Sequence, residues 1–310
     1  MATTDQSPTE QQQWPQLPTI ELPPFLDFLK LKNFPLKVYP PVYERSKLTN
    51  DTLYIYGPGW RNSWGSFDVQ CLQIQIYLKF CGIDFEVKNS NEPNSSPSGK
   101  LPYLETVTGA VYDTDQIQKW ITERGKAKTL TSPSDQEQAK AFIALANTKL
   151  HAAWLFSSWL EPLNYSEITS KAYYGHVPGP INHLLAYQKQ NEVVQTLLTD
   201  RDILVREEAS KITITGKINL NIWIYNDAAQ TLEALSIKLG DNSYYFDSSE
   251  PTWIDAVIFS YIHAIMSMPT LPGSTLGDEE KKQAMTLRNM VRKHENLVRY
   301  AKSMYDQWIK

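Results

Sequence analysis

From Leu53 to Glu123 the turn residues cut the chain into short strands and two helices in one order, and that order restricts the possible folds more than any other feature. Leu53-Tyr-Ile-Tyr56 reads as a strand ended by Gly57-Pro58-Gly59. Ser66 to Cys81 carries Val69, Leu72, Ile76 and Phe80 at helical spacing and stops at Gly82. Phe85 to Val87 is a second strand, residues 89–99 are a loop of Asn, Ser and Pro, and Leu101 to Glu105 and Ala110 to Tyr112 are a third and fourth. Asp113 or Thr114 caps a helix that runs to about Glu123. The opening βαβ unit requires a parallel pair with a right-handed crossover. The last two strands lie close enough for an antiparallel hairpin around Thr108-Gly109.

This is the strand plan of a thioredoxin-like domain, and the chain beyond Ser134 reads as mostly helical. Ser134 is expected to cap a helix with Ala139, Phe142, Ala146, Leu150, Ala153 and Leu160 on one face. Gly179-Pro180 opens another. Thr252-Trp-Ile-Asp255 has the form of a capping box before an apolar run to Met266. Asp278 to Ile309 reads as one long or two short amphipathic helices. One stretch departs from this: Ile212, Ile214, Ile218, Leu220, Ile222 and Ile224 alternate with mostly polar neighbours, which predicts a hairpin turning at 215–217. The expected class is therefore α/β plus all-α. An extended, partly disordered lead covers 1–50, a thioredoxin-like domain 51–128, and a helical domain 129–310 with a strand-like insertion near 210–225.

Charge excludes one class of function. The formal net charge is −4, and Asp5, Glu10, Glu21 and Asp27 of the lead, which has no Lys or Arg before Lys30, account for all of it. The remainder is neutral, so no broad field steers nucleic acid to it. Cys71 and Cys81 sit about 280° apart around one helix at 3.6 residues per turn, so they neither pair within it nor share a metal. With two cysteines in the whole chain, the protein reads as reduced and intracellular. No apolar run reaches the roughly 18 residues of a membrane-spanning helix, and the start lacks a secretory or matrix-targeting pattern.

The catalytic search is equally sparse. The Cys-x-x-Cys that a thioredoxin-like redox site needs is replaced by Ser66-Phe67-Asp68-Val69. No histidine lies in that domain to activate Ser66, which is read as a helix cap. His151, His176, His183, His263 and His294 lack metal-site spacing, and no phosphate-binding glycine motif occurs. No cofactor is expected. Two basic features remain as docking candidates. Lys281 to Lys310 carries eight basic residues against Glu295 and Asp306, among Met290, Val291, Leu297, Val298, Met304 and Trp308. Phe25 to Val42 carries Lys30, Lys32 and Lys37.

Ser98-Gly-Lys-Leu-Pro102 in the first half and Thr252-x-x-Asp255 in the second resemble the glutathione-transferase fold. That likeness implies a cis Pro102 and places Asp113-Thr114 on the acid–hydroxyl pair that holds the γ-glutamyl end of glutathione. Within that superfamily, Pro180-Ile-Asn-His-Leu-Leu-Ala-Tyr-Gln-Lys-Gln190, Ser96-Pro-Ser-Gly-Lys100 and Tyr244-Tyr-Phe-x-x-x-x-Pro-Thr252 resemble the metaxin family, over about 52–305. The lead and the 205–225 stretch have no counterpart in it. The family implies a non-enzymatic, peripheral subunit of the mitochondrial sorting and assembly machinery, on the cytosolic side of the outer membrane. Its implied partners are an Omp85-type β-barrel channel subunit, a second metaxin-like subunit and β-barrel precursors, whose β-signal it helps recognise for insertion.

Candidate contacts with partners or membrane are Trp60, Trp64, His183, Tyr187, Gln188, Lys189, Ile218, Leu220, Arg292, Arg299 and Trp308. Pro102, Asp113 and Thr114 are the vestigial glutathione positions. The loop Trp60-Arg-Asn-Ser-Trp64 is expected to fill the place where a transferase seats the thiol. An exposed strand edge at Ile218 and Leu220 is a candidate for adding a strand from another chain. The alternative is a glutathione-dependent transferase built on Pro102, Asp113 and Thr114.

Overall fold

The computed structural model describes residues 48–199, 214–271 and 277–310, with side chains outside 214–220. The lead, including the basic strip at 25–42, lies outside the described residues. Residues 47–310 form one compact unit.

The strands are β1 (Thr52–Ile55), β2 (Glu86–Asn89), β3 (Tyr103–Glu105) and β4 (Val111–Asp113), with helix α1 (Val69–Phe80) between β1 and β2 and α2 (Thr114–Glu123) after β4. They form one sheet in the order β2-β1-β3-β4. β1 runs parallel to β2 with Leu53 opposite Val87, and β3 is antiparallel to β1 and β4. The expected parallel pair and hairpin are both present. Gly109 takes a φ of 83° at the hairpin turn, a value that glycine adopts without steric cost. Leu101-Pro102 is cis.

The cap of α1 differs from expectation. Asp68, not Ser66, accepts the Cys71 N–H at 2.9 Å, while the Ser66 hydroxyl donates to the Tyr56 carbonyl and accepts the Asp68 N–H. Ser66 is thus two residues too early, tying the end of β1 to the helix entrance.

Helix α3 (Pro133–Leu145) starts at Ser132, with Pro133 in the first turn, rather than at Ser134. It runs through a π turn at Ala146–Leu150 into α4 (His151–Trp159). Then come α5 (Pro162–Asn164), α6 (Ser170–Tyr174) and α7 (Ile181–Thr199). Helix α8 (Ile214–Leu239) overturns the hairpin predicted for 212–224. Ile214, Ile218 and Ile222 belong to the two-residue alternation but are also four apart, which fits a helical repeat as well. From Ile224 onward only helical spacing survives: Ile224, Tyr225, Ala228, Leu232, Leu235 and Leu239 are all buried. Extending that helix backward adds a bond per residue fixed, whereas a hairpin needs its own nucleus and partner.

The last helices are α9 (Trp253–Ser267), α10 (Asp278–Ala284), α11 (Thr286–Arg292) and α12 (Glu295–Trp308), so the final basic stretch breaks into three pieces. Helix α9 is the axis of the unit. It is buried almost all round, packs along α1, and joins the sheet half to the helical half. Its N-terminus is the expected capping box. Asp255 is fully buried and accepts the N–H groups of Thr252 at 2.9 Å and Tyr245 at 3.0 Å and the Tyr300 hydroxyl at 3.1 Å.

Burial raises the Asp255 pKa from its ordinary 3.8 to about 6, against the opposing pull of those donors. Folding therefore takes up a proton between these values, and this carboxyl's contribution is fullest below about pH 4 and fades as pH rises through about 6. Asp255→Ala should cost about 2–4 kcal/mol in urea unfolding, through the lost cap and the orphaned donors. The stability advantage of the wild type over Asp255→Asn should shrink between pH 5 and pH 7.5, over roughly the range of the shifted pKa; an advantage that grows with pH would contradict this linkage.

Candidate functional site at the start of helix α1

In a thioredoxin-like half, the N-terminus of α1 is where the helix dipole favours a thiolate or other anion. Here a side chain of the protein itself occupies that end. Asp68 Oδ1 caps the helix, and Asp68 Oδ2 accepts the Tyr173 hydroxyl of α6 at 2.7 Å. The bond joins residues 105 apart in the chain and fastens the helical half onto the entrance of α1.

Aromatic rings fill the space around it. The Tyr173 ring lies 4.8 Å from Tyr56, 5.0 Å from Phe67 and 5.2 Å from Trp159, and Trp60 tilts against Phe67 at 5.4 Å. The loop that carries Trp60 is fixed from below. The buried Gln75 accepts the Ser66 N–H at 2.9 Å and donates to the Trp64 carbonyl at 2.7 Å. Gly59 permits this close return, since a Cβ there would meet the Gly65 carbonyl oxygen at 1.8 Å.

The nearest sulfur is inert by the same arrangement. Cys71 is wholly buried in the first turn of α1, and burial, with Asp68 beside it, raises its thiol pKa well above the ordinary value. A neutral, enclosed thiol is neither a nucleophile nor a redox centre. Cys81 is also free and buried.

Pro102, Asp113 and Thr114, the positions that the transferase resemblance implies, lie together on the sheet side. Thr114 donates its hydroxyl to the Pro102 carbonyl at 2.9 Å, so that proton is committed within the fold. The Asp113 N–H donates to Gln116 Oε1 at 3.3 Å, and Asp113 Oδ1 is buried without a hydrogen-bond partner.

The remaining candidates scatter. Trp64 is half-buried against Phe85 with the Lys79 ammonium 4.8 Å from its ring centroid. On α7, His183, Tyr187 and Gln188 are exposed, while Lys189 pairs with Glu192 at 2.9 Å. Arg299 is exposed and pairs with Asp241 at 2.9 Å. Trp308 packs on Phe80, its ring 5.0 Å away. Trp60 and Arg292 line one cleft. Ile218 and Leu220 sit in the first turns of α8 rather than on a strand, so no strand edge exists there, and their side chains lie outside the described residues.

Half of the apolar residues of the basic stretch 281–310 turn into the protein, while Met290, Val298 and Trp308 stay partly exposed. Val291, Leu297 and Met304 are at most 1% exposed, because those helices pack their apolar faces into the core. Among the described residues, no helix is long and apolar enough to cross a membrane, and no group of His, Cys, Asp and Glu is placed to hold a metal.

Sequence reasoning missed Asp68 and Tyr173. Asp68 stands immediately before the first apolar helical position, which is an N-cap signal. Tyr173 has no local signal, being recruited from another domain.

Tyr173→Phe should lower stability by about 1–3 kcal/mol in urea unfolding, the range for losing a hydrogen bond to a charged group. Asp68→Ala should cost more because the cap is lost as well. In the native protein Cys71 should resist a soluble thiol reagent until unfolding, and labelling at the rate of an unfolded thiol would contradict the enclosure described.

Two family profiles and several known proteins match parts of this chain. Residues 71–190 match the family profile described as outer mitochondrial membrane transport complex protein, and residues 228–304 match that of the glutathione S-transferase C-terminal domain. Human metaxin-2 is 30% identical over 198 residues, covering 63% of this chain and 70% of the relative. Mouse metaxin-1 is 29% identical over 221 residues, covering 70% and 67%. Glutathione transferase F7 from Populus trichocarpa superposes with a TM-score of 0.44 at 11% identity, covering 82% of this chain and 93% of the other.

Proposed function

The chain belongs to the metaxin family, and from that premise we propose that it is a non-catalytic subunit of the outer-mitochondrial-membrane transport complex, held peripherally on the cytosolic face. In this reading it sits on an Omp85-type β-barrel channel beside a second metaxin-like subunit. It helps receive β-barrel precursors through their β-signal for insertion.

The observation that carries the reading is a stripe on α7. Ile181, Leu184 and Tyr187 are 54%, 56% and 57% exposed, at successive three-residue steps, so they share one helix face. Large apolar side chains clustered in this way are a mark of a protein contact. The whole stripe lies within the segment that matches the transport-complex profile. The plugged end of α1 supports the non-catalytic half of the proposal, since the position that would activate a thiol holds a carboxylate and a tyrosine instead.

A second reading, a glutathione-dependent transferase, rests on the unpartnered oxygen of Asp113 beside Pro102 and Thr114. The two separate cleanly. Leu184→Asp with Tyr187→Asp should reduce recovery of the β-barrel subunit with the tagged chain from solubilised outer membranes by about tenfold, as burying apolar area on this scale implies. Full recovery would sink the stripe as the contact. Titration calorimetry with glutathione should give no heat; micromolar binding lost in Asp113→Ala would instead establish the transferase reading.

A further inference from the structure

The loop at residues 60–63, the end of α9 and the faces of α11 and α12 enclose a cleft of about 690 Å³. That is within the range of small-ligand sites. Its charge is one-sided. Arg61, Arg292 and Lys302 reach it from three different elements and are exposed, and no carboxylate pairs with any of them among the described residues. Arg288 stands at its base, with its guanidinium donating to the carbonyls of Ile265 and Met268 at the end of α9. Its pKa is lowered by burial and by neighbouring Arg292, a sign of cations held close without an anion between them. His263 also lines the cleft, but burial lowers its pKa to about 4, so it adds no charge at neutral pH.

Two further facts concern what fits there. The indole N–H of Trp60, another lining residue, is buried without an acceptor. Arg61 and Asn62 hold φ values of 59° and 57°, a left-handed backbone that non-glycine residues adopt at a cost and that is common at ligand-binding turns. Met266 and Val298 also line the cleft and supply an apolar wall, Val298 one turn before Lys302 on α12. Arginine and lysine converging on one space suit a phosphate, with its several acceptor oxygens, and the apolar wall suits a hydrocarbon attached to it.

We propose that this cleft binds the phosphate headgroup of an anionic phospholipid, with Arg61, Arg292 and Lys302 around the phosphate and the start of the acyl region against Met266 and Val298. This deepens the peripheral-membrane reading by naming the lipid chemistry. Because its test uses no protein partner, its failure would leave the α7 contact standing.

The test is flotation of the full-length chain with phosphatidylcholine vesicles containing about one-fifth phosphatidic acid, against pure phosphatidylcholine, with the triple variant Arg61→Gln, Arg292→Gln, Lys302→Gln. The wild type should float with the anionic vesicles only, and the triple variant should lose about tenfold in apparent affinity, since each basic side chain near an anionic surface contributes measurably. Neutralising Lys119, Lys140 and Lys171, which are exposed elsewhere, should change it less than about twofold. Arg292→Gln alone, at an exposed position, checks that loss does not come from misfolding. Equal flotation with neutral vesicles, or an unaffected triple variant, would overturn the site. Inorganic phosphate that displaces the chain as well as phosphatidic acid does at equal phosphate concentration would overturn the lipid assignment.

Discussion

A single carboxylate, buried to the last atom, holds the centre of this molecule together. Asp255 closes the first turn of α9, and the donors that satisfy it come from the preceding segment and from α12. An unpaired charge there would cost several kcal/mol, so the 244–252 segment and α12 are required to arrive where they do. The capped helix α9 packs along α1 and so joins the sheet half to the helical half. Tyr77 of α1 and Trp253 of α9 meet edge to face at 5.0 Å just beyond the cap.

With the two halves placed by that core, their outer contact determines the chemistry available. Tyr173 arrives at the start of α1 and donates to Asp68, and Tyr56, Phe67 and Trp159 close around it. A helix end that would stabilise an incoming anion is neutralised by a carboxylate already in place. The same scaffold leaves other surfaces open: the apolar stripe of α7, and the basic cleft between α9, α11 and α12.

Much of the sheet half was legible because its signals are local. Gly57-Pro58-Gly59, Gly82 and Thr108-Gly109 mark turns by backbone geometry, and between them only short elements fit. Thr252 and Asp255 were legible for the same reason, as a cap needs only residues three apart. The hairpin expected at 212–224 fails for a physical reason. A run that satisfies both a two-residue and a four-residue repeat does not choose between strand and helix, and the choice was made downstream, where Ile224 to Leu239 buries one helical face. The basic stretch from Lys281 is ambiguous in a similar way. Its amphipathicity is real, but an apolar face seen in sequence does not say whether protein or lipid will cover it.

Sequence alone therefore determined the order of the elements, the caps at Asp255 and Asp113, the absence of a Cys-x-x-Cys centre and the neutrality of the body, since each depends on residues close in the chain or on a sum over it. Tertiary structure decided which faces stay open and which ends are plugged. Tyr173 meets Asp68 across 105 residues, and Arg61 shares a cleft with Arg292 and Lys302. Contacts at that separation arise from the packing of whole helices, and neither residue of such a pair carries a local trace of the other.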